Sequence, residues 1–193
     1  EALKLCGEMG FSVRNYDNYV GLADLNDLPT QLHILGHLDV VGEGTGWHTD
    51  PYTCVEKDGI LYGRGVSDDK GPVCAALFAM KAVRELGLPV SKNVRLILGT
   101  DEESGSADIA YYYSKEPYAP QAFTPDADFP VCYGEKGGFD ATITSKPIEG
   151  GLIVELSGGA ATNAVPGTAT ALVRADAASL PAADRITVTP EAE

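Results

Sequence analysis

Residues 31–41, QLHILGHLDVV, decide the fold of this 193-residue chain. The apolar run at residues 31–36 is short and continuous, which is typical of a strand buried in the centre of a sheet. A second buried strand, NVRLIL at residues 93–98, follows an apolar helical segment at residues 72–86, which has a proline in its first turn. Residues 129–133 are a candidate for a further strand. Strands that alternate with helices in this way predict an α/β domain in layers, with a largely parallel central sheet.

The pattern changes after a glycine pair at residues 137–138. Three segments beyond it alternate apolar and polar positions without long helices between them: residues 139–145, 151–156 and 168–174. Such alternation is typical of antiparallel strands with one solvated face. A second, smaller domain is therefore expected to begin here.

The composition excludes several classes of partner. The formal net charge is −14, and a nucleic-acid surface would need concentrated Lys and Arg, so no nucleic acid is expected. No apolar run reaches the length of a membrane span, so no membrane partner is expected either. The four cysteines show no paired spacing, which favours reduced, mostly buried thiols in a cytoplasmic protein. Cys74 and Cys132 fall within apolar segments, in agreement with that interpretation.

Three polar clusters stand where a predicted strand ends or a helix begins. His37 and Asp39 follow the first strand, an Asp-Asp pair at residues 68–69 precedes the helix, and Asp-Glu-Glu at residues 101–103 follows the second strand. In α/β folds, ligand sites lie at the carboxyl ends of the strands. Clusters at one sheet edge predict a site for hard or borderline metal cations.

Each cluster also has a structural interpretation. A single histidine after a strand is usually structural, and an acidic pair at a helix start can act as a cap. Acidic residues at a loop tip are ordinarily solvated, and Asp126 after Pro125 could form a turn. The clusters together favour the metal site over these alternatives.

Four motifs in order resemble a family of dinuclear metallopeptidases. They are HLDVV at residues 37–41, WHTDPY at 47–52, LYGRGVSDDKGP at 61–72 and TDEESGS at 100–106. The family includes aminoacylase, glutamate carboxypeptidase, succinyl-diaminopimelate desuccinylase and peptidase V. Residues 123–137, FTPDADFPVCYGEKG, are most similar to the peptidase V-like dipeptidases, because Asp126 stands where other branches commonly have a glutamate.

The resemblance implies a set of metal ligands. His37 would bind one ion, Asp68 would bridge two ions, and Asp126 would complete the set of the first ion. Glu103 would be a ligand of the second ion. The peptide bond between Asp68 and Asp69 is typically cis in this family. Zn²⁺ is the expected metal, two ions per active site, with Mn²⁺ or Co²⁺ as alternatives.

The resemblance also implies the catalytic residues and the reaction. Asp39 would orient the imidazole of His37, and Glu102 would be the general base that activates a metal-bridged water. The expected activity is metal-dependent hydrolysis of dipeptides with a free amino terminus. Asn163 is a candidate substrate contact, although a turn before Pro166 explains it as well.

The domain organisation follows from the same resemblance. Residues 1–136 would form a three-layer catalytic domain, and residues 137–193 the beginning of a smaller α+β lid domain, with both incomplete. The chain is interpreted as an internal piece of a longer protein, which is expected to be a monomeric cytoplasmic enzyme with a dipeptide as its partner.

One departure from the family pattern keeps two alternatives open. The second ion normally takes a histidine from a late motif, but the only histidines here are His33, His37 and His48. Residues 1–193 alone are therefore expected to be inactive, and an inactive remnant is one alternative. The other is an acylase or carboxypeptidase acting on N-blocked amino acids.

Overall fold

The computed structural model describes residues 1–139, 141–147, 149–159, 165–180 and 183–190. The chain divides into two units, Glu1–Tyr133 and Gly134–Glu193. The assignment of a catalytic domain and a lid on either side of residue 136 stays a prediction.

The helices of the described residues are, in chain order, α1 (Ala2–Glu8), α2 (Lys70–Glu85) and α3 (Ala107–Tyr113), with 3₁₀ turns at Glu102–Ser104 and Ala177–Ser179. The strands are β1 (Ser12–Tyr16), β2 (Val20–Asp24), β3 (Thr30–His37), β4 (Val55–Lys57), β5 (Ile60–Tyr62), β6 (Asn93–Gly99), β7 (Gln121–Phe123), β8 (Ile153–Gly158) and β9 (Ala169–Val173).

The first unit is built on a mixed sheet with the strand order β1–β2–β6–β3–β7. The two buried strands of the sequence pattern, β3 and β6, are parallel neighbours, and β7 adds a further parallel strand beside β3. The β1–β2 hairpin lies antiparallel against β6. The parallel part of the sheet therefore consists of β6, β3 and β7, and the loops that follow these strands carry candidate site residues.

Helices cover both faces of this sheet, so the first unit has three layers. One face packs against α1 and α2, and its buried core contains Cys6, Phe11, Ala23, Leu25, Ile34, Val73, Leu77, Met80, Leu96 and Leu98. The other face packs against α3 and buries Val20, Leu22, Ile97 and Tyr112. Neighbours such as Leu22 and Ala23 thus face opposite sides, as the two-residue period of a strand requires.

Some local predictions differ from the structure. Residues 129–133 are not a strand, and the Phe129–Pro130 peptide bond is cis. Proline lacks the N–H that a sheet ladder needs, so the apolar pattern misled here. The described residues of the segment 139–145 are not a strand either. In the second unit β8 and β9 pair antiparallel.

The prediction that the thiols are mostly buried is wrong. Cys6 is buried, but Cys54, Cys74 and Cys132 are exposed. The buried residues of α2 include Val73 and not Cys74, because adjacent residues of a helix point about 100° apart. Among the described residues, no helix is long and apolar enough to cross a membrane.

Candidate metal centre

The candidate site lies at the carboxyl edge of the parallel strands. His37 is the last residue of β3 and pairs in register with Gly99, the last residue of β6. The loop after β6 carries the Glu102–Ser104 turn, and Asp126 follows β7. The Asp68–Asp69 pair stands at the start of α2. The topology therefore brings these polar residues to one edge, as the sequence predicted.

His37 is buried, and its two ring nitrogens have different surroundings. Nδ1 lies 3.1 Å from the main-chain oxygen of Asp39 and 3.3 Å from its carboxylate Oδ1. Nε2 lies 3.0 Å from Oδ1 of Asp68 and 3.4 Å from Oδ2 of Asp126. The contacts of Nδ1 favour the tautomer with its proton there, which leaves the lone pair of Nε2 directed at two carboxylates.

Two groups of ligand atoms meet at this imidazole. In one group His37 lies with Asp68 and Asp126, and in the other it lies with Glu102 and Glu103. Within each group the ligand atoms are within 4.8 Å of one another. The structure thus places every residue that the sequence assigned to the metal ligands and the base in one cluster. Their individual roles stay predictions.

The donor set fits divalent cations. Four carboxylates packed around one imidazole repel one another unless positive charge compensates them. Burial lowers the pKa of His37, but the carboxylates of Asp39, Asp69 and Asp126 outweigh burial and raise it overall. The pocket therefore favours positive charge at Nε2. Imidazole with carboxylates is a donor set typical of zinc.

Asp39 connects the two halves of the cluster. Its Oδ2 accepts a hydrogen bond from the backbone N–H of Glu103 at 3.1 Å. Its Oδ1 is buried and 3.3 Å from Nδ1 of His37, but the angles do not make a hydrogen bond. We regard this contact as an electrostatic one that holds the ring in place, since hydrogen bonding weakens steeply with poor alignment.

Glu102 begins the 3₁₀ turn and is exposed at the rim of the site. Partial burial raises the pKa of its carboxyl, the positive field of His37 lowers it, and the carboxylates of Asp126, Glu103 and Asp39 raise it further, so that it lies above its usual value. A raised pKa suits a carboxylate that must accept and release a proton.

Two buried aspartates were missed as site residues by sequence reasoning. Asp69 and Asp108 are both fully buried. Burial raises the pKa of Asp69 to about 6. An acidic residue near a helix start is ordinarily read as a favourable dipole interaction, so no sequence signal distinguished Asp108. The peptide bond between Asp68 and Asp69 is cis, which confirms what the resemblance implied.

The remaining candidates lie elsewhere. Asn163 is outside the described residues. His33 is buried at the middle of β3, where its Nδ1 contacts the hydroxyl of Tyr113 at 2.9 Å, so it does not join the cluster. His48 lies in the loop between β3 and β4 and belongs to neither group of ligand atoms.

Comparison with known proteins gives consistent matches. The sequence profile of peptidase family M20/M25/M40 matches residues 33–191. A protein of Bacillus subtilis (strain 168) named Putative dipeptidase YtjP is 38% identical over 176 residues, which are 89% of this chain and 38% of that protein. Beta-Ala-Xaa dipeptidase of Lactobacillus delbrueckii subsp. lactis is 37% identical over 161 residues, 81% of this chain and 34% of that protein. The chain thus spans little more than a third of the length of these relatives.

Solved structures match the described architecture. The crystal structure of human carnosine dipeptidase 1 has a TM-score of 0.56 and 32% identity, over 65% of this chain and 31% of that one. A metallo-carboxypeptidase from Sulfolobus solfataricus has a TM-score of 0.55 at 24% identity, over 65% and 31%, and supports the fold alone. The predicted α/β class is confirmed.

Proposed function

Because the chain belongs to peptidase family M20/M25/M40, we propose that the whole protein hydrolyses the peptide bond of dipeptides with a free amino terminus. The names of the relatives support a dipeptidase, since they include Beta-Ala-Xaa dipeptidase and carnosine dipeptidase 1. The observation that carries the proposal is the pair of ligand groups that share the imidazole of His37.

Two zinc ions are proposed as the cofactor. His37, Asp68 and Asp126 would hold one ion, and Asp68 and Glu103 would contribute to the other. When bound, such ions lower the pKa of a water and polarise the substrate carbonyl. The alternative metals are Mn²⁺ and Co²⁺, since availability as well as affinity decides which ion a site of this kind holds.

The chain's own residues supply the proton transfers. Glu102 would accept a proton from the attacking water on a carboxylate oxygen and then deliver it to the nitrogen of the leaving amine. Its carboxylate belongs to the same cluster as His37 and Glu103, which supports this role. Asp39 would keep Nε2 of His37 directed at the site through its contacts with Nδ1.

The test of this proposal is Glu102→Gln in the full-length protein. The variant keeps the size of the side chain but cannot accept the proton, so kcat should fall by about 10²- to 10⁴-fold. Its zinc content, measured by atomic emission, should equal that of the wild type. Glu56→Gln, on the exposed strand β4, is the matched control and should keep full activity. An active Glu102→Gln enzyme would refute the assignment of the base.

The substrate class is tested with the same preparation. Free dipeptides should be hydrolysed, and the same dipeptides with an acetylated amino terminus should not. A preference for the acetylated compounds would support the acylase or carboxypeptidase alternative. A zinc-loaded full-length protein that cleaves neither class would refute the proposed dipeptidase activity.

A further inference from the structure

Two buried aspartates stand behind the candidate metal centre in the same arrangement. Asp69, at the start of α2, accepts a hydrogen bond from the backbone N–H of His37 on its Oδ2, at 3.1 Å. Asp108, in the first turn of α3, accepts one from the backbone N–H of Thr100 on its Oδ2, at 2.6 Å. Each helix thus fixes the backbone at the carboxyl end of one parallel strand.

A glycine makes each of these contacts sterically feasible. A Cβ on Gly36 would lie 2.8 Å from Oδ2 of Asp69, and a Cβ on Gly99 would lie 2.7 Å from Oδ2 of Asp108. Both distances are below ordinary van der Waals contact, so the carboxylates are pressed against backbone that has no side chain. Because β3 and β6 are neighbouring paired strands, the two glycine–aspartate contacts lie close together at the same end of the sheet.

The residues held in this way are the site residues or are close to them in the chain. The N–H fixed by Asp69 belongs to His37 itself. The N–H fixed by Asp108 belongs to Thr100, two positions before Glu102. Asp101 then closes the turn, because its carbonyl oxygen accepts from the N–H of Ser106 at 2.7 Å. The backbone between the end of β6 and the two glutamates is therefore held by hydrogen bonds at Thr100 and Asp101.

Stability alone does not account for Asp69. Its Oδ1 is buried and has no hydrogen-bond partner among the described residues. Burying an unsatisfied carboxylate oxygen costs free energy, so a residue selected only for stability would be expected to have both oxygens paired.

We propose that Asp69 and Asp108 are paired positioning residues, which set the metal ligand His37 and the Glu102–Glu103 segment through the backbone N–H groups of His37 and Thr100. This inference rests on the proposed function. Displacements of about 1 Å at a catalytic group can cost on the order of 10²-fold in rate, so such support has a measurable effect.

The hydrogen bonds predict a different response to the same substitution at each position. Both oxygens of Asp108 accept from N–H groups, Oδ2 from Thr100 and Oδ1 from Ile109 at 2.7 Å. An amide has one acceptor oxygen, so Asp108→Asn must lose one bond. Only one oxygen of Asp69 accepts, so Asp69→Asn can keep its bond to His37, whereas Asp69→Ala cannot.

The experiment compares these three variants in the full-length protein. Zn²⁺ affinity is measured by competition with a chelator, and kcat and KM are measured on the zinc-loaded enzyme well below its unfolding temperature. Asp108→Asn and Asp69→Ala should each lose about 10- to 100-fold in zinc affinity or kcat, with KM little changed. Asp69→Asn should lose clearly less than Asp69→Ala, because it keeps the hydrogen bond to the N–H of His37.

A second measurement does not depend on activity. In the metal-free protein, Asp108→Asn should speed amide hydrogen exchange at residues 100–104 while the centre of β6 stays protected. Ile97→Val, a conservative core change on β6, should lower the stability of the protein without changing either result. If Asp108→Asn does not fold, Gly99→Ala takes its place. The new methyl group of Gly99→Ala would displace the Asp108 carboxylate from the strand side, so the same loss of zinc affinity or kcat is expected.

Three results would overturn the proposal. They are wild-type kcat and zinc affinity in Asp108→Asn, the same in Asp69→Ala, or an Asp69→Asn variant as impaired as Asp69→Ala, which would show that charge matters and not the hydrogen bond. Glu102→Gln is assayed alongside. If Glu102→Gln is fully active, the assignment of the base fails, and if the wild-type protein cleaves no dipeptide, the proposed function fails. In both cases zinc affinity and hydrogen exchange still decide the positioning roles.

Discussion

At the scale of single residues, the site depends on how one imidazole is held. Nε2 of His37 lies against two carboxylates, and Nδ1 lies against Asp39. Asp39 also accepts the backbone N–H of Glu103, so one carboxylate supports both ligand groups. The H-x-D spacing suggested the first contact, but nothing in the sequence indicated the second, because Asp39 and Glu103 are 64 positions apart.

Asp39→Asn tests this double role. The amide of asparagine has one acceptor oxygen. The variant therefore cannot direct one acceptor at the ring of His37 and a second acceptor at the N–H of Glu103. We expect Zn²⁺ affinity to fall by about 10- to 100-fold in the full-length protein, measured by chelator competition. Asp58→Asn, on the exposed turn between β4 and β5, is the control and should bind zinc normally. Unchanged affinity in Asp39→Asn would contradict the role.

At the scale of elements, close packing of a helix on a strand positions the candidate metal ligands. Gly36 lies in β3 directly beneath the first turn of α2, where a Cβ would meet both Val73 and Asp69. The sequence predicted both elements, because apolar runs and a proline in the first turn are local signals. It did not predict that the two elements approach closely enough to require glycine.

Gly36→Ala should therefore destabilise the protein. The added methyl group must displace the side chain of Val73 or that of Asp69, and overpacking of this kind typically costs about 1–3 kcal/mol. The free energy of unfolding is measured by urea denaturation of the metal-free protein. Gly42→Ala has no atom within 4 Å of the new Cβ and should be nearly neutral. Equal stability of the two variants would count against the close approach.

At the scale of the whole molecule, charges are arranged at both ends of the central strands. Toward the amino end of β6, Arg95 donates to buried Asp24 from Nε at 2.7 Å, and Asn93 donates to the same carboxylate at 2.6 Å. Burial raises the pKa of Asp24, but these hydrogen bonds outweigh it and hold the pKa below its usual value. The Asp24–Arg95 pair is remote from the candidate metal centre, at the other end of the strand.

The depressed pKa predicts a pH-dependent contribution to stability. A carboxyl with a lower pKa in the folded state stabilises the protein above its unfolded pKa, near 3.9, and loses that contribution as the pH falls through the folded pKa. Asp24→Asn leaves Arg95 without its buried partner, so it should lower the unfolding free energy by about 3–5 kcal/mol at pH 7.

The difference between Asp24→Asn and the wild type should shrink as the pH falls from about 4 to below the folded pKa, because the wild-type carboxylate then becomes protonated. Thermal unfolding of the metal-free proteins at several pH values measures it, and Asp58→Asn serves as the reference. A constant difference from pH 7 to pH 3 would show that the ion pair is not the source.

The sequence by itself determined the features that depend on local pattern. The period of apolar residues indicated β3, α2 and β6, and the order of motifs indicated the residue types of the candidate metal centre. Each of these signals is contained in a short segment, because strand and helix periods repeat within a few residues. A cis bond at Asp68–Asp69 also followed, through the resemblance.

Only the tertiary structure decided which polar groups are buried and what they hold. Asp69 lies 32 positions from His37, and its carboxylate accepts the hydrogen bond from the backbone N–H of His37 only when α2 packs on β3. The same holds for the exposure of Cys74, which depends on the face that α2 turns to the sheet. The physical reason is that burial and hydrogen bonding are properties of contacts between distant segments, which a local pattern does not contain.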